Sequence, residues 1–158
     1  MKEISIDNKF FVCKMDELTP EEQRLVEMAK KATNNSYSPY SHFSVGAAIR
    51  LANGLEMTGA NQENAAFSVT ICAERSAIFA AMSQHPDQPI VQLAIAARNE
   101  NGFTKEPTAP CGSCRQAILE AENIHKQDMR IYLYGADKIY VLKSVKDILP
   151  LNFNDKSM

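Results

Sequence analysis

The sequence predicts an α/β protein in three layers, a mixed five-stranded sheet between helices, with its last two strands antiparallel. Three observations carry this. Segments of helical apolar period alternate with short β-rich runs along the 158 residues. The run from Ile90 to Ala97 is nearly continuously apolar, as expected for a strand covered on both faces. Only Gly135-Ala136-Asp137-Lys138 separates the final two strand-like runs, and a parallel crossover needs roughly a dozen residues or more.

Taken in order, residues 1 to 15 hold an apolar run around Phe10, Phe11 and Val12 that suits either an extra strand or a packed arm. Thr19 followed by Pro20, Glu21 and Glu22 reads as an N-cap, a proline at the first helical position and acids in the first turn. Leu25, Val26, Met28, Ala29 and Ala32 then give a helical apolar face, which stops at Asn34-Asn35. A turn-rich stretch leads to a strand from Phe43 to Leu51, and Asn53-Gly54 signals a hairpin returning through Leu55 to Ala60. Residues 61 to 68 read as loop. Helices are expected from Cys72 through Met82 and from Cys111 to about Glu122, with the loop Asn99 to Ala109 before the second. Strands Arg130 to Tyr134 and Ile139 to Leu142 follow, then a short helix from about Val145 to Leu149 and a tail containing Phe153.

Composition sets the outer limits. Apolar residues make up 45% and charged residues 23%, ordinary for a globular protein, and the formal charge of -2 leaves no basic stripe for a phosphate backbone. A nucleic-acid partner is therefore disfavoured. The N-terminus has no long apolar core, and no later run approaches the ~20 apolar residues of a membrane span, so a cytoplasmic location and no membrane partner are expected. With no repeat, low-complexity stretch or linker, residues 1–158 are read as one domain, and the role of an arm over 1–18 stays open.

Chemistry concentrates in two segments, Thr70-Ile71-Cys72-Ala73-Glu74-Arg75 and Pro110-Cys111-Gly112-Ser113-Cys114-Arg115. Clustered thiols in a reducing compartment fit metal ligation better than disulfides. Cys72, Cys111 and Cys114 make a three-cysteine zinc site, and a helix N-terminus at each segment favours the thiolate form. Cys13 is read as a small core residue. Three protein ligands leave one tetrahedral position open, the mark of a catalytic rather than a structural zinc. Three thiolates also leave a net charge of -1 on the complex, by +2 minus 3, so something must restore acidity to water there. Arg75 and Arg115 are placed to donate to the sulfurs and offset that charge.

Glu74, two residues beyond Cys72, is within reach of a water on such a metal and is the proposed acid/base; taken alone it would be only a glutamate serving the helix dipole. A C-x-x-C pair by itself is mostly structural. His42, His85 and His125 are each read as surface or packing residues rather than ligands.

Cys-Ala-Glu joined to Pro-Cys-x-x-Cys resembles the cytidine deaminase family, in its small tetrameric three-cysteine branch. The stretch Tyr37 to Ala48 is similar to that family's first-strand signature, and Asn61-Gln62-Glu63-Asn64-Ala65 to its nucleoside-binding loop. The resemblance runs from about residue 21 to 153. It implies a cytidine-deaminase-like three-layer fold, one zinc per subunit, and Asn61 and Glu63 on the ribose hydroxyls. It further implies Phe43 on the pyrimidine ring and Ala73 among the substrate contacts. Core packing is nearly as good a reading of Phe43. Phe67 and Phe153 would reach a neighbouring subunit's site in a homotetramer. Gln62, where the family has Ile or Val, and Ala66, where Ser is common, bear on substrate preference.

The expected reaction is zinc-dependent hydrolytic deamination of free cytidine and 2'-deoxycytidine, in pyrimidine salvage. Alternatives are deamination of a cytosine nucleoside antibiotic of the blasticidin type, action on a base in a polynucleotide, and a non-catalytic zinc-stabilised binding module. The last predicts a fourth protein ligand. The polynucleotide reading predicts parallel final strands, as in the relatives that the chain then resembles.

Overall fold

A computed structural model describes all residues, 1–158. Its elements in chain order are β1 (Phe11–Cys13), α1 (Pro20–Ala32), β2 (Ser44–Leu51), β3 (Glu56–Ala60), α2 (Ala73–Gln84), β4 (Ile90–Asn99), β5 (Gly102–Phe103), α3 (Gly112–His125), β6 (Arg130–Tyr134) and β7 (Ile139–Leu142). They form one seven-stranded sheet in the order β1-β7-β6-β4-β2-β3, with β5 paired to β4. Only β4 and β6 are parallel, because a whole helix, α3, lies in the chain between them. The last two strands are antiparallel, Ile131 opposite Leu142 and Tyr134 opposite Ile139.

Two strands beyond the expected five appear. Residues 11–13 are a strand rather than a loosely packed arm. They pair along β7, Phe11 opposite Val141 and Cys13 opposite Ile139, and the Phe10 ring sits 5.0 Å from that of Tyr140. β5 lies inside the expected loop and folds back on the end of β4. Periodicity could not show either, since a run of two or three residues has no period to read.

Alternation along the strands sorts the layers. Ala48, Ala94 and Ala96 face α1, whose Leu25, Val26 and Ala29 are fully buried against them and Tyr132. Ala47, Ile49, Leu93, Ile95, Ile131 and Leu133 face the opposite way, under α2 and α3, which contribute Ala73, Ala77, Ile78, Ile118 and Leu119. The three-layer arrangement follows from a period of two in the strands meeting helical stripes on each side.

Local chemistry starts and stops the elements as expected. Thr19 Oγ1 accepts from Glu22 N–H at 3.3 Å and Glu22 Oε2 accepts from Thr19 N–H at 2.9 Å, a reciprocal cap behind Pro20. Between β2 and β3, Gly54 takes φ +87, and Asn53 Oδ1 accepts the Leu55 N–H at 3.0 Å. β3 therefore begins at Glu56. The short helix expected from about Val145 is present as a 3-10 helix, Val145–Ile148. α3 is fastened at its far end by Glu122. This buried carboxylate accepts from Met129 N–H (3.0 Å), Val145 N–H (3.1 Å) and the Ser144 hydroxyl (2.7 Å). No helix is long and apolar enough to cross a membrane.

Candidate metal and catalytic site

The starts of α2 and α3 meet on one side of the sheet, and each is capped by a cysteine with extended backbone, Cys72 (φ -75, ψ 155) and Cys111 (φ -66, ψ 168). Cys114 follows in the first turn of α3. Gly59 permits this approach. A Cβ there would stand 2.6 Å from both Ala73 O and Ala77 N, so any other residue on β3 would push the start of α2 outward.

The three Sγ atoms lie within 4.8 Å of one another, and Cys72 Sγ is 3.9 Å from Cys111 Sγ. A tetrahedral zinc with Zn–S bonds of about 2.3 Å holds its sulfurs about 3.8 Å apart, so the donor set fits the ion by type and by spacing. At that separation no disulfide joins them, and all four cysteines are free. No histidine, carboxylate or fourth thiol joins the group, and Cys13 lies apart on β1.

The cluster is electrostatically uneven. The Cys72 thiol is pushed down to about 5, first by a hydrogen bond from the Cys114 thiol and then by Arg75 and Cys111, with burial opposing. Cys114 is pushed up by the same bond and by its burial, so between these two the first proton leaves Cys72. Two helix N-termini, each with roughly half a positive charge, support the thiolates. Arg75 Nη2 donates to Cys72 Sγ across 3.7 Å, and its buried Nε has no partner. Arg115 is not brought onto a sulfur. Its Nε donates to Pro110 O and its Nη1 to Ile148 O, both at 2.9 Å, which ties the start of α3 to the C-terminal segment. Spacing placed it beside Cys114, but two orphan carbonyls claim its fork.

Glu74 is buried, 5% exposed, in the first turn of α2. Burial raises its carboxyl pKa, and the neighbouring Cys72 charge adds to this. A carboxyl held there can keep a proton or give it up beside the thiol cluster.

The loop residues Asn61 and Glu63 are delivered to the same side by backbone pairing. Gln62 exchanges hydrogen bonds with Ile71 at 2.9 and 3.0 Å, which puts Asn61 and Glu63 alongside the entry to α2. Glu63 accepts from Tyr40 N–H (2.9 Å), Ser41 N–H (3.3 Å) and the Ser41 hydroxyl, and this last bond does most to hold its carboxyl below the usual value. Asn61 bonds to the backbone of Phe43 and Val45 at the start of β2. Phe43 is half-buried there and Ala73 fully buried. A concavity of about 350 Å³ is lined by Tyr40, Ser41, Glu63, Phe67 and Thr70. Three larger cavities, about 690, 510 and 390 Å³, lie against residues 7–11, against residues 14–16, and between α2 and α3 beside Arg75 and Ser113, and none is lined by a thiol.

Phe67, 73% exposed, stands on the rim of its own chain's concavity, its ring 5.7 Å from that of Tyr40. Phe153, 61% exposed, is not among the residues lining it; its carbonyl accepts from Gln116 Nε2 at 2.9 Å, which ties the tail to α3. Tyr40 and Ser41 enter the sequence reading only within the stretch Tyr37 to Ala48, and Thr70 only as the first residue of the Cys72 segment; none of the three carries an expected role, because nothing in their spacing marks a pocket.

Residues 19–129 match the family model of the cytidine and deoxycytidylate deaminase zinc-binding region. A cytidine deaminase of Halalkalibacterium halodurans is 37% identical over 86% of this chain and 96% of its own length. One from Mycoplasma genitalium is 31% identical over 82% and 92%. Among solved structures, cytidine deaminase from Burkholderia pseudomallei matches with TM-score 0.70 and 34% identity, over 86% of this chain and all of that one. The cytidine deaminase of Mycobacterium tuberculosis matches with TM-score 0.65 and 28% identity, over 86% and 99%.

Proposed function

The chain belongs to the family of cytidine and deoxycytidylate deaminases, and we propose that it converts free cytidine and 2'-deoxycytidine to the corresponding uridines with release of ammonia. The observation that carries this is the buried Glu74 beside three thiols that have no fourth protein ligand. A closed structural zinc site would need that fourth ligand.

In this reading Cys72, Cys111 and Cys114 hold one zinc ion. When bound, zinc supplies a Lewis acid that brings the pKa of a water at the unfilled position toward neutrality. Glu74 takes a proton from the attacking water and delivers it to ring N3. The water oxygen bonds to C4, a second proton reaches the amino group through Glu74, and the C4–N bond breaks to release ammonia. Atoms balance as nucleoside plus water to uridine plus ammonia. Arg75 withdraws charge from Cys72. Asn61 and Glu63 hold the ribose hydroxyls, Phe43 packs on the ring and the Ala73 backbone borders it.

The whole chain, 1–158, acts as one domain, in the cytoplasm and in pyrimidine salvage. It assembles as a homotetramer, a reading supported by the exposed Phe67, Val69, Phe79, Leu151 and Phe153, which are 73%, 64%, 47%, 81% and 61% accessible in the single chain. Phe67 and Phe153 then complete a neighbour's site.

Metal analysis and ammonia release are to be measured on one purified sample, beside Glu74→Gln. The expected result is one zinc per chain in each, cytidine turnover in the parent, and a rate about 10²- to 10⁴-fold lower in the variant. Zinc without ammonia release in the parent would replace the enzyme with a binding module.

A further inference from the structure

Asn61 has its side-chain amide almost fully engaged by the protein. Oδ1 accepts from Val45 N–H and from the Ser36 hydroxyl, each at 2.7 Å, which uses both of its lone pairs. Nδ2 gives one hydrogen to Phe43 O at 3.0 Å and keeps one.

Ser36 Oγ also lies 3.1 Å from Ser38 Oγ, and Ser38 Oγ lies 3.2 Å from Ser44 Oγ. Each hydroxyl owns a single hydrogen. Ser36 must spend its hydrogen on Asn61, because an amide oxygen cannot donate. The geometry at Ser38 also has Ser36 as the donor, so Ser38 Oγ competes with Asn61 Oδ1 for that hydrogen, and the bond to Asn61 is the shorter of the two, 2.7 Å against 3.1 Å. Ser38 and Ser44 line a polar recess of about 220 Å³ with His42, Arg98, Asn99 and Glu100.

We propose that Ser36 is a positioning residue that, together with the Val45 N–H, fixes Asn61 as a single N–H donor toward the substrate sugar. This rests on the reading above that Asn61 meets a ribose hydroxyl. Glu63, which is an acceptor only, complements it, so the pair presents one donor and one acceptor to a hydroxyl that needs both. With the second lone pair of Oδ1 occupied, Asn61 cannot serve as a competing acceptor, and the sugar is bound in one sense.

The experiment is steady-state kinetics of the zinc-loaded enzyme on cytidine and on 2',3'-dideoxycytidine, which lacks both hydroxyls. Ser36→Ala is expected to raise KM for cytidine about fivefold with little change in kcat, and to leave dideoxycytidine unaffected. Ser36→Thr, which keeps the hydroxyl, is expected to restore KM. Ser38→Ala, which removes the competing acceptor, is expected to leave KM for cytidine at or below its parental value. Ser36→Ala should also shift the Asn61 side-chain amide signals in a ¹⁵N NMR spectrum recorded without substrate.

Equal losses on the two nucleosides, an inert Ser36→Ala, a Thr variant no better than Ala, or unmoved Asn61 signals would each overturn the proposal. Should Ser36→Ala not fold, Ser36→Cys, whose thiol is a much weaker donor, decides on the same readouts. If the parent does not turn over cytidine, it is the proposed function that fails, and the Asn61 signals still decide the Ser36 bond.

Discussion

Arg75 Nη2 stands 3.7 Å from Cys72 Sγ, three residues and nearly one turn further along α2, so the same helix carries the thiolate and the cation that tempers it. Arg115, adjacent in sequence to Cys114, spends its donors on carbonyls instead. Of the two arginines, only Arg75 donates to a sulfur.

Replacing Arg75 by Ala is expected to lower kcat for cytidine roughly 10-fold, within the range found for outer-shell partners of metal ligands, while zinc content and KM stay near parental values. Kinetics with metal analysis on the same preparation read this. An unchanged kcat would remove the role.

Gly59→Ala tests the close approach of α2 to β3. The added methyl would meet Ala73 O and Ala77 N at 2.6 Å, and both are backbone atoms that cannot swing aside. A loss of about 1 to 3 kcal/mol in denaturant unfolding is expected, together with weaker zinc retention, because Cys72 moves with α2. Parental stability and parental competition against a chelator would show that the contact is not needed.

The Tyr132 phenol donates to Glu22 Oε1 at 2.6 Å and links α1 to β6 across 110 positions of sequence. Burial pulls the Glu22 carboxyl up, but the bonds from Tyr132 and Thr19 hold it net below its ordinary 4.5. Burial, then Glu22, raises the Tyr132 phenol above its ordinary 10.0. The signs follow. A depressed carboxyl contributes stability that is present above pH 4.5 and lost as acid titrates it in the folded state. A raised phenol contributes stability that is present below pH 10.0 and lost as pH climbs through its folded value. Tyr132→Phe is expected to cost about 1.5 kcal/mol at pH 7, with the deficit shrinking toward both extremes. Urea unfolding across pH checks this; curves that stay parallel would deny the coupling.

What could be read from the chain in advance divides along a physical line. Thr19-Pro20, Asn53-Gly54 and the cysteine-headed helices were legible because caps and turns are decided by a few neighbouring residues. The antiparallel end of the sheet was legible from the length of one connection, and the thiol trio from ligand type and spacing. β1 and β5 were not, being too short to carry a period.

The sequence by itself determined the layers, the thiols, Glu74 and the loop pair Asn61 and Glu63, since each of these depends on residue type and local order. Tertiary structure alone decided which arginine faces the sulfur, how near α2 lies to β3 through Gly59, and that Ser36 reaches Asn61 with its hydroxyl. The physical reason is that a side chain such as Arg115 or Ser36 has several partners within its reach. Which one it takes is settled by distances of a few tenths of an ångström that no linear spacing encodes.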